Sequence, residues 1–251
     1  MESSRRALFL REMGLSPVWR VRARERPGSK MDEPAQGSPT LAASAEIVGA
    51  VPVPASADPG ERDARILNMD WQQLKEAVSG CRSCVLCKTR TNTVFGVGDE
   101  QADWLLVGEA PGSEEDARGE PFVGQAGRLL DNMLASVGLK RGDNVYIANV
   151  LKCRPPGNRN PNLSEVAQCA PHLQRQIDLI RPKLIIAMGR FAAQTLLGTD
   201  ATIASLRGKL HRYHRVPLIV SYHPAYLLRS LPEKAKAWED LCFARRTMAG
   251  L

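Results

Sequence analysis

The chain has 251 residues, of which 43% are hydrophobic and 24% charged, so it can bury one sizeable core and has the composition of an ordinary globular protein. No apolar run is long enough to cross a bilayer, and the cluster at residues 7–10 is too short for a signal peptide, which predicts a cytoplasmic protein without membrane contact. The net charge of +7 comes from residues 65–251, since residues 1–64 hold nine basic and nine acidic side chains, and it favours a phosphate-rich partner such as DNA.

Residues 1–64 are predicted to form an extension that precedes a folded domain at residues 65–251. From residue 27 to residue 64 the chain is dominated by Pro, Gly, Ala, Ser and acidic residues, without aromatic residues or regularly spaced apolar positions. Such a stretch cannot bury enough surface to order itself, which predicts a disordered linker. Residues 5–13 are compatible with a short helix that ends at Gly14, and residues 18–21 with a short extended segment.

After residue 65, short apolar runs rich in β-branched residues alternate with segments of helical period. The runs at residues 104–107, 145–150, 184–188 and 217–221 predict four buried strands. Apolar residues at helical spacing predict helices between them; these residues are Leu129, Leu130, Met133, Leu134 and Val137, then Val166, Ala170, Leu173, Ile177 and Ile180. The alternation predicts an α/β fold with a mainly parallel sheet, which binds ligands at the carboxyl ends of its strands.

Four of the six cysteines occur as a Cys81-Arg-Ser-Cys84 motif and a distant pair, Cys153 and Cys169. A Cys-x-x-Cys turn presents two thiolates to one metal centre, and two more cysteines would complete a four-sulfur site for zinc or an iron-sulfur cluster. Alternatively, the distant pair are buried core thiols and only the cysteines near residue 84 bind a metal. The remaining cysteines are Cys87, a spare beside the motif, and Cys242, which is predicted to pack in the last helix.

Four motifs with polar or aromatic side chains lie near the ends of the predicted strands. The turn Gly108-Glu109-Ala-Pro-Gly brings backbone N–H groups and a carboxylate to the edge of the sheet, as an anion-binding turn does. Pro-Phe122-Val-Gly places an aromatic ring in a loop, Asn149 ends the second strand, and His223-Pro-Ala follows the last strand. Taken singly, each has an ordinary structural explanation: loop packing for Phe122, and turn capping for Asn149 and His223.

Together and in this order, these motifs resemble those of the family 4 uracil-DNA glycosylases over residues 74–248. The likeness includes the Cys-x-x-Cys motif, the Gly-Glu-Ala-Pro-Gly turn, Pro-Phe-Val-Gly, residues 149–159, Cys169 and His-Pro-Ala. It implies a three-layer α/β/α fold around a mainly parallel four-stranded sheet, and an enzyme that flips uracil out of DNA and hydrolyses its N-glycosidic bond. It also implies that a structural 4Fe-4S cluster is held by Cys81, Cys84, Cys153 and Cys169.

The resemblance assigns a role to each matching residue of the site. Phe122 matches the aromatic residue that stacks on the flipped uracil, Asn149 the amide that reads its polar edge, and His223 the histidine that hydrogen-bonds uracil O2. Glu109 and Asn158 match residues proposed to position water or to stabilise the cationic sugar, and the sequence does not decide between them. The other substrate-binding positions are Gly108, Gly112 and Glu115, the last of which matches an acidic residue thought to exclude the thymine methyl group.

The predicted partner is uracil-containing DNA, single- or double-stranded, bound by a monomer. Extrusion of a base leaves a gap in the duplex that a side chain can fill, and the sequence offers the stretch Tyr226, Leu227 and Leu228. The same stretch could equally close onto the core. Basic residues in the neighbouring loops are predicted to contact phosphates; they are Lys152, Arg154, Arg159 and Arg229.

Two other functions remain compatible with the sequence. One is a non-catalytic DNA-binding protein with a zinc-bound cysteine site, and the other is a glycosylase of the same fold that prefers another base, such as hypoxanthine or mismatched thymine. The presence of Phe122, Asn149 and His223 favours uracil. A uracil-release assay and a metal analysis separate the three functions.

Overall fold

The computed structural model describes residues 59–251, so the helix predicted at residues 5–13, the extended segment at residues 18–21 and most of the predicted linker lie outside the described residues. The first helix begins at Pro59, so the boundary predicted after residue 64 falls inside a helix. Ile66 is buried, and Arg62 donates a 3.0 Å hydrogen bond to the backbone oxygen of Gln168. These contacts with a distant part of the chain order a segment whose composition predicts a linker.

Between residues 59 and 251 the chain forms nine α-helices and six β-strands. The helices are α1 Pro59–Leu67, α2 Trp71–Ser79, α3 Ser113–Arg118, α4 Gln125–Ser136, α5 Leu163–Ile180, α6 Arg190–Leu197, α7 Ile203–Leu206, α8 Pro224–Arg229 and α9 Glu233–Met248. The strands are β1 Val97–Gly98, β2 Trp104–Gly108, β3 Val145–Asn149, β4 Leu184–Met188, β5 Leu210–Tyr213 and β6 Val216–Ser221, and two 3-10 helices span Val85–Lys88 and Pro156–Asn158. No helix in this range is long and apolar enough to cross a membrane.

The six strands form one sheet in the order β1-β3-β2-β4-β6-β5. The four central strands are parallel and correspond to the four predicted strands, while β1 and β5 add antiparallel edges. The sequence does not indicate the edge strands, because β1 has only two residues and β5 alternates exposed and half-buried side chains. The mainly parallel α/β fold predicted from the sequence is confirmed, with two further strands.

Alternate residues of the central strands point into two hydrophobic cores, one on each face of the sheet. Leu105 and Val107 of β2 pack with residues of α5 and α6, whereas Trp104 and Leu106 pack with residues of α4 and α9. The chain leaves β2 for β3 on one side and later returns to β4 on the other side of β2. The order of the strands therefore reverses at β2, and such a reversal opens a crevice at the carboxyl ends of the strands.

Candidate active site

A cavity of about 720 Å³ opens at the carboxyl ends of the central strands. Ten of the residues predicted for catalysis, substrate binding or DNA contact line it: Glu109, Gly112, Glu115, Phe122, Asn149, Asn158, Arg159, His223, Tyr226 and Arg229. The segments that follow β2, β3 and β6 bring these residues together, although they are far apart in sequence. The parallel topology therefore produces the site expected from the order of the motifs.

Asn149 is the last residue of β3, and its side chain is buried at the base of the cavity. Its Oδ1 atom is buried without a hydrogen-bond partner in the described part of the chain. A Cβ atom on Gly108 would lie 2.4 Å from this oxygen and 2.7 Å from Cζ of Phe122. Gly108 thus leaves the amide and the ring close together above β2, and the unpaired oxygen is an acceptor available to a ligand.

Phe122 lies in a turn with a left-handed backbone, at φ 55°. Its ring is almost fully buried, and the centroids of its ring and the His223 imidazole are 5.4 Å apart, with the planes inclined by 30°. Gly127 passes so close behind the turn that any added Cβ atom would overlap the Phe122 carbonyl oxygen. The ring is held in one orientation by the backbone around it, which makes it a preformed platform for a planar ligand.

His223 caps the N-terminus of α8, because its Nδ1 accepts a 3.1 Å hydrogen bond from the backbone N–H of Ala225. An imidazole that accepts at Nδ1 carries its proton on Nε2 when it is neutral. Burial lowers the pKa of His223 to about 4, so the ring is neutral at physiological pH. The turn-capping role and a ligand-binding role are therefore compatible, since the cap fixes Nε2–H as a donor.

Glu109 follows β2 and faces Arg190, the first residue of α6. Burial raises the pKa of Glu109, and the positive charge of Arg190 lowers it. Across the cavity, Asn158 is exposed, with φ 54°, and its Oδ1 accepts a 2.8 Å hydrogen bond from Nε of Arg154. This bond orients the Asn158 amide, so the structure gives Arg154 an intramolecular partner in addition to its predicted phosphate contact.

Glu115 lines the cavity, but both oxygens of its carboxylate accept hydrogen bonds from the backbone. Its Oε2 accepts from the N–H of Gly112 at 3.1 Å, and its Oε1 accepts from Val123 at 3.0 Å and Gly124 at 3.2 Å. The last N–H group of the Gly-Glu-Ala-Pro-Gly turn, that of Gly112, thus has an internal anion as its acceptor. Glu115 joins this turn to the Phe122 turn.

The predicted DNA contacts separate into exposed and buried residues. Tyr226 is 39% exposed and stacks on Tyr222 with 5.2 Å between ring centroids, and Arg229 is exposed beside it. Leu227 is only 1% exposed and packs with Tyr222 and Ala237, so its predicted role in filling a gap in DNA is wrong. The helical turn of α8 directs it inward, whereas Leu228 is exposed.

Two basic residues predicted at phosphates have other partners in the structure. Lys152 is fully buried and donates to the backbone oxygen of Asn149 at 2.9 Å and to Oε1 of Gln176 at 2.6 Å, so it cannot reach DNA. Arg159 lines the cavity and forms a two-pronged ion pair with the buried carboxylate of Glu165. The pair holds Arg159 at the rim of the cavity.

A second, smaller cavity is lined by five cysteines: Cys81, Cys84, Cys87, Cys153 and Cys169. The first three lie in and before the 3-10 helix Val85–Lys88, the fourth follows β3, and the last is in α5. Three separate segments therefore bring thiols to one place. Within residues 59–251, no three Cys, His, Asp or Glu side chains are grouped so that they could hold a single metal ion.

The N–H donors beside this cavity would suit cysteine sulfurs that carry negative charge. Burial raises the pKa of Cys84 and Cys153, and it raises the pKa of Cys169 to about 12. Arg90 donates from Nη1 to the sulfur of Cys153 at 3.0 Å, and the backbone N–H of Lys152 points at the sulfur of Cys169 at 3.3 Å. Buried thiols become thiolates when a cation binds them, and N–H donors then stabilise the sulfurs.

The structure adds cavity residues that the motifs do not indicate. Gly189 and Arg190 line the cavity directly after β4, and Gly189 has φ 93°, where a Cβ atom would lie 2.9 Å from Cβ of His223. Their sequence signal is a glycine and a cation at the carboxyl end of a predicted strand. Tyr222 also lines the cavity, between Tyr226 and the guanidinium of Arg207, which lies 4.7 Å from its ring centroid.

A family model described as the uracil DNA glycosylase superfamily matches residues 95–242. The chain is similar to a type-4 uracil-DNA glycosylase of Archaeoglobus fulgidus, with 52% identity over 159 residues, which are 60% of this chain and 79% of the relative. It is 42% identical to a type-4 uracil-DNA glycosylase of Pyrobaculum aerophilum over 181 residues, 69% of this chain and 92% of the relative. A third, from Sulfurisphaera tokodaii, is 45% identical over 178 residues, 67% and 80% of the two chains.

The chain therefore belongs to the uracil DNA glycosylase superfamily. Its resemblance to the family 4 enzymes, predicted from the motifs, is confirmed by these relatives.

Proposed function

We propose that this protein is a uracil-DNA glycosylase of base excision repair, which flips uracil out of DNA and hydrolyses its N-glycosidic bond. The observation that carries the proposal is the buried, unpartnered Oδ1 of Asn149 beside the ring of Phe122. A buried acceptor without a donor costs about 1–3 kcal/mol, and a ligand that brings an N–H group offsets that cost. Uracil N3–H is such a group on a flat ring that the Phe122 side chain can stack against.

The amide of Asn149 reads the polar edge of the base. Its oxygen accepts from N3–H of uracil and its Nδ2 donates to O4, whereas cytosine presents an acceptor at N3 and a donor at its exocyclic nitrogen. Binding of cytosine would therefore leave polar groups unpaired in a buried site, at about 1–3 kcal/mol for each. The base reaches the amide only outside the duplex, since stacking shields it inside.

His223 stabilises the leaving uracil anion. When the glycosidic bond breaks, negative charge spreads over N1 and O2 of the base, and Nε2–H of the neutral imidazole donates to O2. A donor fixed before the reaction strengthens in the transition state more than in the ground state. The hydrogen bond that the backbone N–H of Ala225 donates to Nδ1 of His223 keeps the ring in this orientation without the substrate.

Glu109 and Asn158 act on the sugar side of the cavity. A carboxylate of Glu109 close to the deoxyribose offsets the positive charge that grows at C1′, and the Asn158 amide, oriented by Arg154, positions the attacking water. Burial raises the pKa of Glu109, and the positive charge of Arg190 opposes that shift and so favours the charged carboxylate. Arg159, Arg229 and Tyr226 at the rim contact the DNA strand next to the flipped nucleotide.

We also propose that Cys81, Cys84, Cys153 and Cys169 hold a 4Fe-4S cluster with a structural role. The proposal is supported by the meeting of the four thiols in one cavity and by the cations next to it, Arg90 and the buried Lys152. The cluster, when bound, cross-links three segments of the chain through iron–sulfur bonds. Iron and sulfide of about four each per chain in anaerobically purified protein would support it, and stoichiometric zinc would contradict it.

The direct test of the glycosylase is the incubation of the purified protein with single- and double-stranded oligonucleotides that contain uracil, followed by alkaline cleavage at abasic sites. Asn149→Ala should slow cleavage strongly, and Asn68→Ala, at an exposed amide at the end of α1, should not. Release of hypoxanthine or mismatched thymine in place of uracil would identify a glycosylase with another base preference. Binding of DNA without release of any base would indicate a non-catalytic protein.

We infer that a monomer acts on DNA, because the residues of one chain suffice to form the cavity. We also infer that it acts at the nucleoid in the cytoplasm. Light scattering with and without an oligonucleotide gives the mass of the active species. A dimer that loses activity on dilution into monomers would contradict this inference.

A further inference from the structure

The turn that carries Phe122 has an unfavourable backbone conformation. A non-glycine residue at φ 55° is strained and persists only where its surroundings hold it. If the turn relaxed to an extended conformation, the ring would leave the site beside Asn149. The groups that hold this turn therefore determine whether the stacking platform exists before the substrate arrives.

Two side chains of opposite charge hold the turn. One belongs to a residue that precedes the turn in the sequence, and the other to a residue that follows it. Glu115 accepts from the backbone N–H groups of Val123 and Gly124, as described above. Arg141, in the connection between α4 and β3, donates from Nη1 to the carbonyl oxygen of Pro121 and from Nη2 to that of Phe122, both at 2.9 Å. The donors and acceptors of the turn are thus paired with a carboxylate and a guanidinium.

Arg141 is itself held in place. Its Nε donates to Oδ1 of Asp131 at 3.0 Å, and only 19% of its side chain is exposed. Asp131 lies on α4, the helix that begins directly after the Phe122 turn. A planar guanidinium can donate to two carbonyl groups and a carboxylate at once, which an ammonium group cannot do with the same geometry.

We propose that Arg141 is a positioning residue for uracil recognition: it fixes the left-handed turn at Phe122 so that the ring is preorganised to stack on the flipped base. Arg141 does not line the cavity and does not touch the substrate; it acts through the carbonyl groups of Pro121 and Phe122. This role rests on the proposed glycosylase function. It does not depend on the cysteine site.

The test compares single-turnover excision by the full chain with that of Arg141→Gln. We expect a loss of about 10-fold to 100-fold, because small displacements of a binding group have effects of this size. Free uracil should inhibit Arg141→Gln more weakly than it inhibits the unchanged protein, while the affinity for uracil-free DNA should be the same in both. Arg141→Lys, which can reach one carbonyl, should recover part of the loss. Lys183→Gln is the control and should retain full activity. It also removes one positive charge, but at the amino end of β4, away from the cavity at the carboxyl end.

A double-mutant cycle with Phe122→Ala distinguishes positioning from general stability. If Arg141 acts through the ring, adding Arg141→Gln to Phe122→Ala has little further effect, whereas independent effects multiply. Full activity of a folded Arg141→Gln protein, or multiplying effects in the cycle, would overturn the proposal. If Arg141→Gln does not fold, Asp131→Asn, at the exposed end of the network, should give a smaller loss in the same direction, and unchanged activity there would also count against it.

A readout that needs no activity separates this proposal from the glycosylase itself. Amide hydrogen exchange at Val123 and Gly124 should be faster in Arg141→Gln than in the unchanged protein, because the turn opens more often. Unchanged exchange would overturn the positioning role even in an active enzyme. If the unchanged protein releases no uracil and exchange is still faster in Arg141→Gln, the structural role of Arg141 is retained and the proposed glycosylase function is rejected.

Discussion

The cavity at the carboxyl ends of the central strands, called the sheet-edge cavity below, and the cysteine cavity are connected by residues 149–153. The two cavities are stabilised differently. In the sheet-edge cavity, the protein supplies both members of several polar pairs: Glu115 has three backbone donors, Asn158 has Arg154, and Arg159 has Glu165. Within the described residues, the buried Oδ1 of Asn149 has no partner, and Nε2–H of His223 remains available as a donor. That cavity is therefore organised largely by the chain itself, with an acceptor and a donor left for the base.

In the cysteine cavity, the arrangement depends on the sulfur atoms of buried thiols. Burial raises the pKa of these thiols, as at Cys153 and Cys169. Burial also lowers the pKa of Lys152 to about 8, and the sulfurs beside it oppose that shift. A bound metal group would turn these thiols into thiolates and offset the buried cation. One site is thus preorganised by hydrogen bonds, and the other is expected to gain its stability from the group it binds.

The largest effect is expected from Cys153→Ala, which should lose the proposed cluster and destabilise the fold together. Loss of a metal centre is among the few single changes that cost more than about 4 kcal/mol. Iron content and thermal melting measure both consequences. Cys242→Ala, at a half-buried cysteine on α9, is the matched control and should keep iron and melting temperature. Equal loss of iron in both variants would remove the distinction between the two cavities.

The next largest effect is expected from His223→Ala, at about 100-fold or more in single-turnover excision. Affinity for DNA should change little, because the donor acts on charge that appears in the transition state. The variant should keep its cluster absorbance, since the sheet-edge cavity is organised independently. An unchanged rate in a folded, cluster-loaded variant would exclude His223 from the mechanism.

A smaller loss, about 10-fold or more, is expected from Gly108→Ala. The new methyl group would lie 2.4 Å from Oδ1 of Asn149 and 2.7 Å from the Phe122 ring, so both side chains must shift. Gly80→Ala, where the nearest atom is 3.5 Å away, is the control with the same chemical change. Equal excision rates in the two variants would mean that the base does not bind between the amide and the ring.

The smallest effect is a shift in pH dependence. Because burial raises the pKa of Glu109, excision should fall on acidification at a pH above the ordinary carboxyl range. Arg190→Gln removes the charge that lowers this pKa, so the acid limb of kcat/KM should move to higher pH. His223, with a pKa of about 4, should contribute no transition near pH 6.5. An acid limb that persists unshifted in Glu109→Gln would assign it to another group.

The sequence alone indicates most of the central sheet and about half of the residues that line the cavity. Runs of β-branched residues identify the four buried strands, because a strand covered on both faces is apolar throughout. The motif order then places Phe122, Asn149 and His223 at one edge, since parallel strands end on the same side. Neither argument depends on how the side chains finally pack.

Only the tertiary structure decides which side chains face the cavity and which face the protein. Leu227 and Lys152 lie within motifs that predict DNA contact, yet both are buried, because helix direction and core packing set the orientation of each residue. Arg141 shows the reverse case: nothing local marks it, and the carbonyl groups that it holds lie 19 and 20 residues away along the chain. A sequence motif records the types of residue that chemistry needs, whereas hydrogen-bond partners distant in sequence are fixed only when the chain has folded.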